Sequence, residues 1–117
     1  MKENIVKEKS YRFSLKIIDL YKYLVHSKKE YVLAKQILRC GTSIGAQIEE
    51  SIGSQSRKDF LSKISISYKE ARETHYWLRL LKDSDFIDRN QFDTLNADLQ
   101  ELLRLIGSIQ KTVKQSL

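Results

Sequence analysis

Phe92, Leu95, Leu99, Leu102, Ile106, Ile109 and Val113 alternate spacings of three and four without a break. Such a series keeps to one side of the chain only in a helix, and a stripe this narrow has to lie against other helices. Asp88 can cap the start of that helix, and Gln91, three residues on, completes a capping box. The C-terminal quarter therefore commits the chain to helix-on-helix packing.

The rest of the sequence agrees with it. There is no proline and there are four glycines in 117 residues, too few punctuating residues for the many turns of an all-β domain. A long helix is predicted from about Arg57 to Lys82, with Ser56 as its N-cap and Asp59 at the box position. Its inward face reads Phe60, Ile64, Ser67, Ala71, Thr74, Leu78 and Leu81. A second segment, from about Glu30, runs through Ala34, Ile37, Gly41, Ile44, Ile48 and Ile52. Gly41 and Gly45 each cost about 1 kcal/mol within a helix, a loss that a close neighbouring backbone offsets. A first helix, from about Ser10 to Val25, turns Phe13, Ile17, Leu20 and Leu24 inward. Short links near 27–29, 53–55 and 83–87 make consecutive helices antiparallel neighbours. The expectation is an all-α, up-down-up-down antiparallel four-helix bundle over residues 9–117, with residues 1–8 a disordered N-terminal tail. Roughly 70% of the chain or more should be helical, against the usual third.

Length and composition suit one domain with a core of its own. The single cysteine, Cys40, has no partner for an internal disulfide, which suits a reducing compartment. Met1 leads into Lys2-Glu3-Asn4 rather than an apolar signal segment, and no apolar run approaches the roughly 20 residues that span a bilayer. A cytoplasmic protein with no membrane partner is expected.

The formal charge of +6 is unevenly spread: 17 of the 21 Lys/Arg but only 9 of the 15 acidic residues lie in residues 1–82. Lys69, Arg72 and Arg79 share one face of the third helix, with Tyr76 between the two arginines; Lys58 begins the same stripe. Lys35 and Arg39 extend it from the second helix. Cations with an interleaved aromatic can follow a nucleic-acid backbone and stack a base; a merely solvated basic face has the same spacing. Tyr21, Val25, Tyr76, Trp77, Leu103 and Leu105 lie beside the inward stripes. They are either flanking core positions or an interface between copies of the chain, for which Tyr21, Tyr76 and Trp77 are the named candidates.

Catalytic and metal chemistry find little foothold. His26 and His75 are isolated, and none of the eight glutamates makes the Glu-x-x-His spacing of di-iron bundles. Cys40 falls on the apolar face with Ile37 and Ile44, as a small hydrophobe. Gly41 and Gly45 sit within a helix, not in a phosphate-binding loop between strand and helix. No catalytic residue, metal site or cofactor is assigned, and the chain is expected not to be an enzyme.

The stretch Gln36-Ile37-Leu38-Arg39 followed by Ser43-Ile44-Gly45-Ala46-Gln47-Ile48-Glu49-Glu50 resembles the bacterial four-helix bundle family of 23S rRNA intervening-sequence proteins. A second stretch, Asp59-Phe60-Leu61 through Ile64, Ser67, Glu70 and Glu73, is similar to it as well. Gln47, Glu49 and Ser51 stand where that pattern has asparagine, alanine and, commonly, glycine. The family is related to the accessory variability proteins of diversity-generating retroelements. The resemblance implies up-down bundles assembled in rings of five, and in the retroelement branch a basic outer surface that works with RNA and a reverse transcriptase. It also picks out Arg39, Ser43, Glu50, Glu70 and Glu73. Arg39 either pairs with Glu70 or Glu73 across the second and third helices, fixing their register, or is free to contact phosphate. Ser43 is placed to bond back to the carbonyl of Arg39. The expected function is a homo-oligomeric bundle, pentameric as the resemblance implies, that binds RNA or other nucleic acid through its basic surface. The alternative is a protein–protein scaffold whose charge serves solubility.

Overall fold

The computed structural model describes residues 2–117, with side chains from residue 4 onward. Four helices follow in order: α1 (Lys2–His26), α2 (Val32–Ile52), α3 (Arg57–Asp83) and α4 (Arg89–Gln115). No strand forms among the described residues. Each helix packs on two neighbours, α1 on α2 and α4, α3 on α2 and α4, as at the corners of a square. Cross-helix partners run in opposite senses. Lys63 meets Glu50, Ser67 meets Ile44 and Thr74 meets Cys40 between α3 and α2. Arg57 meets Ser116 and Ser65 meets Gln110 between α3 and α4. The bundle is antiparallel throughout, and its 46 Å long axis is close to the ~40 Å of a 27-residue helix.

The α4 seam is buried along its whole length, Phe92 to Val113. Asp88 and Gln91 form the expected capping box, the Asp88 carboxylate accepting from Gln91 N at 2.7 Å and the Gln91 side chain from Asp88 N at 2.9 Å. Ser56 caps α3 by accepting from Asp59 N at 3.0 Å. At the C-terminus of α3, Phe86 N donates to Leu81 O at 2.9 Å and Asp85 N to Lys82 O at 3.1 Å, a Schellman closure. It places Asp85 at φ 64°, the left-handed position that glycine usually fills. The buried seams add to these caps, each fully buried Leu, Ile or Phe contributing about 1.5–3 kcal/mol.

Three expectations need correction. Residues 1–8 are not a disordered tail as far as they are described: α1 begins at Lys2, and Val6 is buried to 1% exposure. The α1 seam runs Val6, Ser10, Phe13, Ile17, Leu20, Leu24, and a serine in the core hides its first turn from an apolar count. Ser10 tolerates that place by donating to Lys7 O at 3.1 Å. In α2, Ile52 is exposed and Ser51 is buried in its stead, its hydroxyl bonded to Ile48 O at 2.7 Å. Helix α2 also begins two residues later than expected. Tyr31 at its N-cap makes no side-chain cap bond, and the Glu30 carboxylate accepts from Leu33 N and Ala34 N instead.

Candidate nucleic-acid interface

The outward ridge of α3 carries Lys58, Ser62, Lys69, Arg72, Tyr76 and Arg79, all exposed. Their spacings of three, four and seven keep them on one side, because the opposite side of α3 is taken up by Ile64, Ser67, Ala71, Thr74, Leu78 and Leu81 in the core. None of Lys58, Lys69, Arg72 and Arg79 forms an ion pair among the described residues, nor does Lys35 on α2. Helix α1 behaves differently. Its Lys7, Lys9, Arg12 and Lys16 are paired with Glu49, Glu101, Glu8 and Asp98. Four cations of α1 are thus paired, three of them with neighbouring helices, while those of the α3 ridge form no ion pair; Lys69 alone is near enough to a carboxylate, Glu73, to help lower its pKa. His75, on the flank of the ridge, has its pKa lowered by burial and further by Arg79 and Lys82, a local sign of that field.

Arg39 does not belong to this set of free cations. Its guanidinium reaches Glu70 at 3.3 Å and also bonds Glu73, both on α3. Trp77 Nε1 donates to the same Glu73 carboxylate at 2.9 Å. The hydrogen bond from Trp77, and then the bond and charge of Arg39, hold the Glu73 carboxyl below the usual range against the opposing effect of burial. Of the two readings of Arg39, the pair with Glu70 and Glu73 across α2 and α3 is the contact present. Of the other motif residues, Glu50 pairs with Lys63 at 3.7 Å. Ser43 is half-buried, but the hydroxyl that reaches back is that of Thr42, at 2.7 Å from Leu38 O and 3.4 Å from Arg39 O.

The α2–α3 seam holds polar ties that periodicity does not reveal. Ser67, inside the core, donates across the interface to Ile44 O at 2.9 Å. Thr74 donates to Glu70 O at 2.8 Å and lies 3.3 Å from the Cys40 sulfur. Burial pushes the Cys40 thiol up to about 11, so it is a neutral, buried group at neutral pH. Among the described residues no cluster of three His, Cys, Asp or Glu is placed to hold a metal ion. A cleft opens where the α2–α3 loop meets the end of α4, between Ser54, Arg57, Phe60, Ile109, Thr112 and Val113; Arg57 is its single titratable side chain.

The proposed interface aromatics separate. Tyr21 and Trp77 are half-buried against their own core, whereas Tyr76 is 48% exposed on the α3 ridge. An apolar stripe that the inward pattern concealed lies on the outer side of α1. Tyr11 and Leu15 are 63% and 49% exposed, and half-buried Ile18 continues them at a spacing of three, whereas Val25, seven further on, packs against the core.

Among the described residues no helix is long and apolar enough to cross a membrane. No curated protein matches the chain. A 1.70 Å crystal structure of a protein of unknown function from the S23 ribosomal protein family of Bacteroides thetaiotaomicron is similar at 51% identity. The TM-score is 0.94, over 95% of this chain and 99% of that one. Residues 2–108 match the model of the 23S rRNA-intervening sequence proteins. A seam-packed antiparallel bundle, the Arg39–Glu70–Glu73 tie and a match over nearly the whole length agree, and the chain belongs to the 23S rRNA-intervening sequence protein family.

Proposed function

We propose that this protein acts by binding rather than catalysis, as a self-assembling bundle that holds nucleic acid on the α3 ridge. The observation that carries this is the set Lys58, Lys69, Arg72 and Arg79, exposed along one helix with no carboxylate paired to any of them. Counterions held along a phosphate backbone are released when such cations replace them, which makes binding tight at low salt and largely independent of sequence. Lys35 adds to the ridge from α2. Self-assembly rests on the α1 stripe of Tyr11, Leu15 and Ile18, whose spacing suits a helix of a second copy, and on the rings of five that the family resemblance implies. Repetition of one weak patch around a ring raises avidity without new contacts.

The test is RNA binding at low and physiological salt by the wild type and by Lys69→Glu/Arg72→Glu/Arg79→Glu. The variant must retain its helicity and assembly mass. Wild-type binding that weakens steeply with salt, and its loss in the folded variant, are expected; equal binding by both removes the ridge from consideration. A protein-docking scaffold is the second reading, favoured by the exposed Tyr11 and Leu15. It takes over if neither protein binds RNA even at low salt.

A further inference from the structure

Tyr76 stands between Arg72 and Arg79, about one helical turn from each. An exposed phenol on a helix is ordinary, but this ring is held on two sides. Trp77 meets it edge to face, with centroids 5.2 Å apart and planes at 73°. The Arg79 guanidinium carbon lies over it, 5.8 Å from the centroid. Trp77 is itself tied, since its Nε1–H donates to Glu73 and that carboxylate also accepts from Arg39 on α2. The orientation of the Tyr76 ring is thus referred, through two side chains, to the neighbouring helix. A braced, half-exposed aromatic between two cations without carboxylate partners offers a stacking surface and phosphate ligands together.

Duplex and single strand differ in what they can give such a ridge. A duplex keeps its bases stacked inside and presents phosphates to a convex helix surface. An RNA duplex also hides its base edges in a deep, narrow major groove that side chains cannot enter, so it offers the ridge only its phosphates and sugars. A single strand presents phosphates and an unstacked base face at once, and every base has such a face.

We infer that the α3 ridge takes single-stranded nucleic acid in preference to duplex, with Tyr76 stacking on an unpaired base while Arg72 and Arg79 hold the flanking phosphates. This rests on the reading of the ridge as a nucleic-acid surface, and one set of titrations separates the two claims. A mixed-sequence RNA strand, the DNA strand of the same sequence and the RNA duplex are titrated against wild type, Tyr76→Phe, Tyr76→Leu and Arg72→Glu/Arg79→Glu. Strand anisotropy is followed together with the emission of Trp77, the single tryptophan of the chain. Single strands should bind wild type more tightly than the duplex and change Trp77 emission. Tyr76→Leu should lose roughly tenfold or more on single strands with little change on duplex, and Tyr76→Phe should retain wild-type affinity. A loss common to RNA and DNA assigns the shared stacking chemistry, and one confined to RNA assigns RNA as the ligand. The inference is overturned if Tyr76→Leu binds single strands as wild type does, if duplex binds equally well, or if Tyr76→Leu reduces the assembly mass and so places Tyr76 in a contact between copies. If Arg72→Glu/Arg79→Glu binds unchanged, the ridge itself is not the surface, and both claims fall.

Discussion

A β-carbon on Gly41 of α2 would stand 2.8 Å from Cγ1 of Ile17 on α1, closer than two carbons can approach. Ile17 is fully buried and its branch point has nowhere to move. Overpacking of this kind costs ~1–3 kcal/mol, against a gain of ~1 kcal/mol from replacing glycine inside a helix. Gly41→Ala should therefore destabilise the bundle by up to about 2 kcal/mol. At Gly45 the nearest atoms are Ser10 O at 3.2 Å and Ser14 Oγ at 3.3 Å, and the two effects should nearly cancel. At Gly107 only the edge of the half-buried Tyr68 ring is close, at 3.3 Å, and alanine should stabilise by up to ~1 kcal/mol. Urea midpoints at constant slope give this ordering directly; three equal gains would mean that α1 and α2 are not in close contact there.

Asp85 offers the opposite experiment, a site where glycine should help. Its φ of 64° strains any residue with a β-carbon, and the Schellman bonds around it hold it there. Asp85→Gly should raise stability by about 0.5–1 kcal/mol. A thermal midpoint that falls would show that the Asp85 side chain makes a contact worth more than the strain.

Glu73 ties Trp77 to Arg39, and its depressed pKa sets the sign of a pH effect. A carboxyl that is more acidic when folded contributes its stability above the usual value of 4.5 and loses it as pH falls through the folded value. The gap between wild type and Glu73→Gln should thus be present at neutral pH and close in acid. Its size should be about 0.5–1 kcal/mol, since Arg39 and Glu73 remain 51% and 36% exposed and water screens the pair. A gap that widens in acid would contradict the assignment.

Much of this fold is legible in the sequence because its signals are local. The α4 seam, the Asp88–Gln91 box and the Ser56 cap depend on residues within a few positions of one another, and each is found where the pattern puts it. Ser67 and Thr74 are buried where the period puts them, but at two other places a polar core residue misleads it. Ser10 masks the first turn of α1, and Ser51, satisfied by a backbone carbonyl of its own helix, displaces Ile52 to the surface. The basic ridge is likewise legible from the spacing of 69, 72 and 79. That its cations are unpaired is not, because pairing depends on which helix faces which: Lys9 and Lys16 look as free in the sequence as Lys69 does, yet α4 supplies them with Glu101 and Asp98. The outer stripe of α1 is a related case: Tyr11 and Leu15 lie off the inward spacing of Phe13, Ile17, Leu20 and Leu24, and only the packing of α1 shows that no neighbouring helix covers them.

That stripe makes assembly measurable. Light scattering coupled to size exclusion should return several times the 13.7 kDa of one chain, with five copies the expected number. Tyr11→Glu/Leu15→Glu should reduce the mass without loss of helicity, because both side chains lie outside the core. A wild type that runs as a monomer at micromolar concentration would remove self-assembly.

The central claim, phosphate contact by the α3 ridge, is tested most directly by the salt dependence of single-stranded RNA binding. Each phosphate contact contributes about 0.7 to the slope of log affinity against log salt for a single strand. Arg72→Gln removes one cation from an exposed position and leaves the core intact. The slope per chain should become shallower by about 0.7, with weaker binding at low salt. An Arg72→Gln protein with the slope and affinity of wild type, or a wild type whose binding ignores salt, would contradict the account.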